Sequence, residues 1–167
     1  MIQLPLEPKI VSKEGHKVIF EISPLYPGYG MTIGNALRRV LLSSLEGAAI
    51  TSFKIKNVDH EFTGIPGVME DVVDIILNLK KVRLKSFNEE PVTLTLSSKG
   101  IGTVTAGDIK TTADVEVVNP NQVIATITDK KTEIDMEITV ERGIGYVPVD
   151  QRENEKLSIG KLQIKYV

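Results

Sequence analysis

An alternation of apolar and polar residues with a period of two dominates the second half of the chain. Between positions 134 and 141 every even residue is apolar and every odd residue is acidic or threonine, and positions 92–96 repeat the pattern. This period places apolar side chains on one face of a strand, which is typical of a half-buried antiparallel sheet. Turn signals separating the predicted strands occur at Lys99–Gly100, Asn119–Pro120 and Arg142–Gly143.

A first helix is predicted over residues 32–45, with Thr32 as its N-cap and Gly47 as its C-terminal stop. It has two opposite stripes, each about 100° wide. The apolar stripe indicates a core or dimer face. The other stripe places Leu42 between arginines, which is typical of an interface hot spot, although a scattered surface leucine between solvated arginines is the alternative. The apolar stripe contains Ile33, Ala36, Leu37, Val40, Leu41 and Ser44, and the other contains Asn35, Arg38, Arg39 and Leu42.

A second helix is predicted over residues 68–81, with acids in its first turn and lysines in its last. Its apolar arc is roughly 200° wide, so the helix either faces a partner or lies between a sheet and a loop. Lys80 falls inside this arc, and we expect it to reach solvent past the apolar surface and to meet an acid of a partner. The core stripe contains Val68, Val72, Ile75, Ile76 and Leu79, and the arc is widened by Met69, Val73 and Leu77.

The order of predicted elements gives the fold class. Residues 1–9 are predicted to form an extended arm, strands are predicted at 16–22 and around 53–56, and another strand begins at Leu162. Together with the two helices and the later run of strands, this order predicts an α+β fold.

Composition excludes several classes of function. With 20 basic and 22 acidic residues the net charge is −2, whereas a nucleic-acid-binding module is usually basic. The chain has no cysteine and two histidines, so we expect no disulfide and no metal site. It lacks an apolar run of about 20 residues and a signal-like start, so we expect a cytoplasmic protein without a membrane segment. No catalytic constellation and no cofactor site is predicted.

The segment Gly28–Gly34 is the one motif that suggests a small-molecule site. It follows a predicted strand and opens a helix, as phosphate-binding turns do. Its spacing, GxGxxxG, is one residue longer than the dinucleotide fingerprint, and no GKS or GKT follows. Nucleotide binding is therefore the weaker alternative, and a tight turn before the helix is the stronger one.

Two long motifs resemble a known family. Pro24–Leu25, Gly28–Gly30 and residues 32–44 resemble a signature of the amino-terminal domain of the bacterial RNA polymerase alpha subunit. His60–Glu61–Phe62 with residues 67–80 is similar to a second signature of that family. Shorter similarities lie at residues 102–106, 114–116 and 142–146, so that the resemblance covers about residues 10–160 in order.

The resemblance implies a two-part domain in a non-catalytic scaffold subunit. Residues 1–47 would form half of a dimerising part, residues 48–160 an inserted, mostly β part that binds the large subunits, and residues 161–167 the start of a return strand. Because residues 161–167 do not follow the family pattern, we expect the remainder of the return segment to be missing from this sequence. The chain would dimerise and assemble with the beta and beta prime subunits, without direct contact to nucleic acid.

The resemblance also assigns interface residues. Two alternative functions remain open: a stand-alone alpha-like interaction domain, and a nucleotide-binding protein that uses the Gly28–Gly34 turn. The residues implied at the beta interface are Asn35, Arg38, Arg39, Leu42, His60, Glu61, Phe62 and Lys80. Those implied at the beta prime interface are Lys80, Ile159 and Gly160, and those at the dimer interface are Tyr29, Ile33, Ala36, Leu37, Val40 and Leu41.

Overall fold

A computed structural model describes residues 4–148 and 161–164. The chain divides into two compact units, Met1–Ser44 and Leu45–Val167. In the first unit, strands β1 (Lys9–Glu14) and β2 (Lys17–Glu21) form an antiparallel hairpin, and helix α1 (Tyr29–Ser43) follows.

The first helix begins three residues before the predicted start. Its N-cap is Gly28, whose φ of +90° lies in the left-handed region that glycine tolerates, and Thr32 lies inside the helix. The predicted stop is also wrong, because α1 ends at Ser43 and Gly47 belongs to a strand. Gly47 pairs with Gly143 in a long antiparallel ladder, and this pairing overrides its tendency to end a helix.

The second unit is built on an antiparallel sheet. Its strands run in the spatial order β7-β5-β10-β3-β4-β8, with β11 also paired to β3, while β6 and β9 form a separate two-stranded sheet. The elements are β3 (Glu46–Ile55), α2 (Val72–Leu79), β4 (Leu84–Ser86), β5 (Val92–Lys99), β6 (Gly102–Thr105), a 3₁₀ turn (Ala106–Asp108), β7 (Ile109–Lys110), β8 (Val115–Val117), β9 (Val123–Ile127), β10 (Glu133–Ile144) and β11 (Lys161–Gln163).

Strand β10 is the centre of this sheet. Its first eight residues pair with β5, and the stretch from Met136 onward pairs with β3. The period-two prediction is confirmed here, because Ile134, Met136, Ile138 and Val140 are all buried. Two helices with a predominantly antiparallel sheet confirm the α+β fold class.

The second helix is shorter than predicted. Val68 forms a bridge with Ile127, and the Met69 N–H donates to the Thr126 carbonyl at 2.9 Å, so this segment follows β9 instead of turning helically. Asp71 is the N-cap and accepts the Asp74 N–H at 2.7 Å. The predicted core stripe is confirmed at Val72, Ile75, Ile76 and Leu79, whereas Val68 is half-buried.

The predicted turn at Arg142–Gly143 is wrong. These residues continue β10, where Arg142 pairs with Ala48 and its guanidinium forms an ion pair with Glu46. Backbone pairing over the length of β3 therefore outweighs the turn preference of a single glycine. The turn signal at Lys99–Gly100 is confirmed, since Gly100 has a φ of +84° between β5 and β6.

Candidate protein interaction surfaces

Helix α1 carries most of the predicted interface residues and has no buried side chain. The stripe predicted to contact the beta subunit is exposed: Leu42 is 66% exposed, and Arg38 and Arg39 are exposed beside it. The Arg39 carbonyl accepts the Ser43 hydroxyl at 2.7 Å, which closes the last turn of the helix. Asn35 is exposed on the same stripe.

The opposite stripe of α1 is also open. Val40 is 52% exposed and Leu41 is 59% exposed, and only Ile33 is half-buried. A helix that is apolar along one stripe normally buries that stripe. Within its own unit, α1 does not use this stripe as a core face. The remaining residues predicted at the dimer interface, Tyr29, Ala36 and Leu37, are exposed as well.

The glycine turn before α1 lacks the geometry of a phosphate-binding loop. Such a loop places several glycines before the helix so that successive backbone N–H groups surround the anion. Here only Gly28 precedes the helix, while Gly30 and Gly34 lie within it. The Tyr29 N–H already donates to the Tyr26 carbonyl at 3.0 Å, and the two tyrosine rings meet edge to face with centroids 5.8 Å apart.

The loop between β3 and α2 carries the second group of predicted residues. Phe62 is 81% exposed, Glu61 is half-buried and His60 is exposed. The His60 ring is oriented by Thr63, with Nδ1 2.8 Å from the Thr63 hydroxyl. An exposed phenylalanine offers apolar area to a partner.

Lys80 follows α2 directly as its C-cap and is half-buried. Its backbone N–H donates to the Ile76 carbonyl at 3.1 Å. The positions predicted to widen the apolar arc of the second helix are exposed: Leu77, within α2, is 49% exposed, and Met69, which precedes α2, is 74% exposed. The predicted beta prime residues Ile159 and Gly160 lie outside the described residues.

Arg83 is an exposed arginine between α2 and β4 that the sequence patterns did not single out. No periodic pattern includes it, because it lies in a short connection, and only the fold brings it beside the first half of β3. The available signal was a cluster of cations, since Lys80, Lys81, Arg83 and Lys85 occur without an intervening acid.

Residues 4–148 and 161–164 contain neither a candidate metal site nor a membrane-spanning helix. No group of three or more His, Asp or Glu side chains in these ranges is arranged to hold a metal ion. No helix in these ranges is long and apolar enough to cross a membrane.

The chain is similar to proteins of one known family. The RNA polymerase Rpb3/RpoA insert domain matches residues 53–165. The DNA-directed RNA polymerase subunit alpha of Roseiflexus sp. is 58% identical over 145 residues, which are 87% of this chain and 44% of that protein. The subunit alpha of Symbiobacterium thermophilum is 50% identical over 159 residues, 95% of this chain and 50% of that protein.

A third relative, the subunit alpha of Moorella thermoacetica, is 53% identical over 145 residues, covering 87% of this chain and 46% of that protein. This chain thus spans about half the length of the curated relatives it matches. The match extends from the exposed first helix through the antiparallel sheet of the second unit. The chain belongs to the family of bacterial RNA polymerase alpha subunits and contains the insert domain of that family.

Proposed function

We propose that this chain is a non-catalytic scaffold subunit of DNA-directed RNA polymerase that dimerises and nucleates assembly with the beta and beta prime subunits. The observation that carries the proposal is α1, a helix of 15 residues without a buried side chain, in a family whose members are named RNA polymerase subunit alpha. A helix with two open faces is suited to bind two partners at once. The proposed location is the cytoplasm, and the proposed contacts are with protein and not with nucleic acid.

The two stripes of α1 have different chemistry and suit different partners. Asn35, Arg38, Arg39 and Leu42 combine an apolar centre with guanidinium groups, and we assign this stripe to the beta subunit. The stripe around Val40 and Leu41 is apolar, as the interfaces of obligate homodimers are, and we assign it to a second copy of the subunit. His60–Phe62 and Lys80 extend the proposed beta surface, and Lys80 with Ile159 and Gly160 the proposed beta prime surface.

We propose that dimerisation and large-subunit binding are carried by different parts of the chain. Residues 1–47 contribute to dimerisation, residues 48–160 contact the large subunits, and residues 161–167 begin a return strand. The contrast between the units in the structure supports this proposal. The first unit is mostly exposed, whereas the second has a core of buried aliphatic side chains.

The variant Arg39→Ala tests the proposed beta surface. We expect it to weaken binding of the purified beta subunit by a hot-spot amount, ~2 kcal/mol or more, because truncating an arginine beside the apolar centre of an interface removes both hydrogen bonds and packing. Its melting temperature should stay close to that of the unmodified chain, because Arg39 is exposed. The measurements are biolayer interferometry with immobilised beta and a thermal melt.

Lys13→Ala is the control, since Lys13 is an exposed cation of the same unit in β1. If Arg39→Ala and Lys13→Ala bind the beta subunit equally well, Arg39 is not part of the interface. If the unmodified chain captures neither large subunit in a pull-down, a stand-alone interaction domain is the better description.

A further inference from the structure

The sulfur chemistry of this chain is confined to methionine thioethers. The sequence has four methionines and no cysteine. Met1 lies outside the described residues, and the other three have very different environments. Met136 is buried in the core and 2% exposed, whereas Met31 and Met69 are 76% and 74% exposed. Because the oxidation of a thioether depends on its exposure, an oxidant in solution reaches Met31 and Met69 far more readily than Met136.

The backbone that carries Met69 is held firmly within the second unit. The Met69 N–H donates to the Thr126 carbonyl at 2.9 Å, and the preceding residue, Val68, forms a bridge with Ile127. The next side chain, Glu70, accepts the Thr126 N–H at 2.6 Å through Oε2 and the Thr126 hydroxyl at 2.9 Å through Oε1. None of these bonds involves the thioether. The sulfur is therefore accessible in the folded chain, and its oxidation leaves the bonds in place.

Met69 belongs to a region with exposed apolar side chains. It precedes α2, and Val73 and Leu77 on the helix itself are 37% and 49% exposed. The loop that carries part of the proposed beta surface is tied to the same end of α2, because the Val72 N–H donates to the Thr63 carbonyl at 3.3 Å. A change in the polarity of Met69 therefore alters the proposed beta surface directly.

Oxidation makes that change with one oxygen atom. The sulfur lone pair attacks one oxygen of hydrogen peroxide, an S–O bond forms, the O–O bond breaks, and the leaving hydroxide takes up the proton of the transferred oxygen as water. The thioether loses two electrons and the peroxide gains them. The product is a sulfoxide, which is polar and accepts hydrogen bonds, so burying it against apolar side chains is unfavourable.

Met31 is equally exposed but has different neighbours. On the helical wheel of α1 it falls on the same side as Asn35 and Arg38, whose N–H groups can donate to a sulfoxide oxygen. Val73, beyond Met69, has no such side-chain donor. The cost of burying a sulfoxide in an interface is therefore greater at Met69.

We propose that Met69 is a reversible oxidation site that regulates assembly. Its sulfoxide, formed in the free subunit by a peroxide, weakens binding of the beta subunit, and a thiol-dependent methionine sulfoxide reductase restores the thioether. In the reverse step two thiols become a disulfide and the oxygen leaves as water. The inference rests on the proposed function and deepens it, because it adds a means of regulating the proposed beta surface.

Peptide mapping measures oxidation at each site, because trypsin separates the described methionines. Met31 lies in peptide 18–38, Met69 in peptide 57–80 and Met136 in peptide 132–142. The 167-residue chain is treated with hydrogen peroxide, quenched with catalase, digested and analysed by mass spectrometry. We expect Met69 to be oxidised about as fast as a short methionine peptide, and Met136 at least about tenfold more slowly. Equal rates at Met69 and Met136 would overturn the assignment of the site.

Binding is compared in two variants, Met31→Leu and the double variant Met31→Leu with Met69→Leu. Each is measured by interferometry on immobilised, untreated beta subunit, before and after peroxide treatment. We expect treatment to weaken binding of Met31→Leu by about fivefold or more, and to change binding of the double variant by less than about twofold. Met1 is present in both variants, so its oxidation cannot cause a difference between them.

Reversal is the second readout. Treated Met31→Leu is incubated with methionine sulfoxide reductases for both sulfoxide epimers and with dithiothreitol, and we expect its binding to return to the untreated value. Because the chain has no cysteine, the thiol has no disulfide to reduce in it. Urea unfolding should give the same midpoint before and after peroxide treatment, since Met136 stays reduced.

The failures are distinguishable. If untreated Met31→Leu binds beta and treated Met31→Leu binds it equally well, Met69 does not regulate assembly and the proposed function stands. If the untreated unmodified chain does not bind beta, the proposed function is wrong and the inference falls with it. If peroxide treatment lowers the unfolding midpoint together with binding, the loss of binding reflects a damaged fold, and the inference is overturned.

Discussion

At Gly67 the backbone has a φ of +79°, and a Cβ there would lie 2.1 Å from Thr132 Oγ1. That hydroxyl cannot easily move, because it donates to the Pro66 carbonyl at 3.1 Å. We expect Gly67→Ala to lower the free energy of unfolding by about 2–4 kcal/mol, through backbone strain and steric overlap together. Urea denaturation followed by circular dichroism measures the change.

The matched control is Gly102→Ala. Gly102 lies in β6, and a Cβ there meets no atom within 4 Å. We expect this variant to change the unfolding free energy by about 1 kcal/mol or less. Equal losses in the two variants would show that the environment of Gly67 is more permissive than its contacts indicate.

Asp135 is the described residue whose protonation is most clearly perturbed by the fold. The Ser97 hydroxyl donates to its Oδ1 at 2.6 Å, and Lys56 forms an ion pair with its Oδ2 at 3.5 Å. These contacts stabilise the charged form and hold the pKa of Asp135 below its ordinary value of 3.8, with the Ser97 hydrogen bond as the larger cause.

Ser97→Ala should therefore raise the pKa of Asp135 and reduce stability at neutral pH by about 1 kcal/mol or less, since the pair is partly exposed. A lowered pKa in the folded state gives stability that is complete above the ordinary pKa and is lost as the pH falls through the folded pKa. The difference from the unmodified chain should thus be present at pH 7 and shrink below about pH 4. Unfolding curves across this range and NMR titration of the carboxyl group measure it, with Ser98→Ala as the control; a difference that grows at acid pH would contradict the assignment.

At the scale of elements, one asparagine fixes the connection between α2 and β4. Asn119 bonds both the Lys81 carbonyl and the Arg83 N–H. We expect Asn119→Ala to cost about 1–3 kcal/mol, because it leaves two backbone groups without their partners. Faster hydrogen exchange of the Arg83 amide should accompany the loss. Asn121→Ala, an exposed residue two positions away, is the control, and equal exchange in both variants would contradict the role of Asn119.

Elements whose pattern extends over many residues were predictable from the sequence. The alternation along β10, which places Ile138 and Val140 on the buried face, could be recognised because strand period and burial coincide there. The boundaries of α2 could not be predicted from the sequence, because Val68 and Met69 are apolar at helical spacing but form backbone hydrogen bonds or bridges with β9. This pairing depends on a strand more than fifty residues later in the chain, so no local pattern contains it.

The candidate surfaces divide in the same way. The exposure of Leu42 and Arg39 on one stripe was predictable, since a helix projects its side chains at known angles and the sequence itself shows which stripe lacks acids. Arg83 was not predictable, because its place beside Ala48 and Ala49 depends on the pairing of β4 with β3. The two opposite stripes of α1 were visible in the sequence, whereas the neighbours of Arg83 could be identified only from the fold.

At the scale of the whole molecule, the open apolar stripe of α1 predicts self-association. We expect the sedimentation coefficient to rise with protein concentration, and Leu41→Glu to suppress the rise by placing a charge in the apolar stripe. Met31→Glu is the control, because Met31 lies on the opposite side of the same helix by the 100° wheel and is 76% exposed. A single concentration-independent species for the unmodified chain would contradict the prediction.

The central position of β10 has a consequence for the order in which the molecule is made. Arg142 and Glu46, which form an ion pair across β10 and β3, are 96 positions apart in the chain. During synthesis β3, α2 and β5 leave the ribosome before the strand that joins β3 to β5 exists. Until β10 is synthesised, the apolar faces of these elements stay exposed to solvent, so this unit folds late and slowly for its size. Aggregation and chaperone binding are therefore most favoured while the chain is still being synthesised.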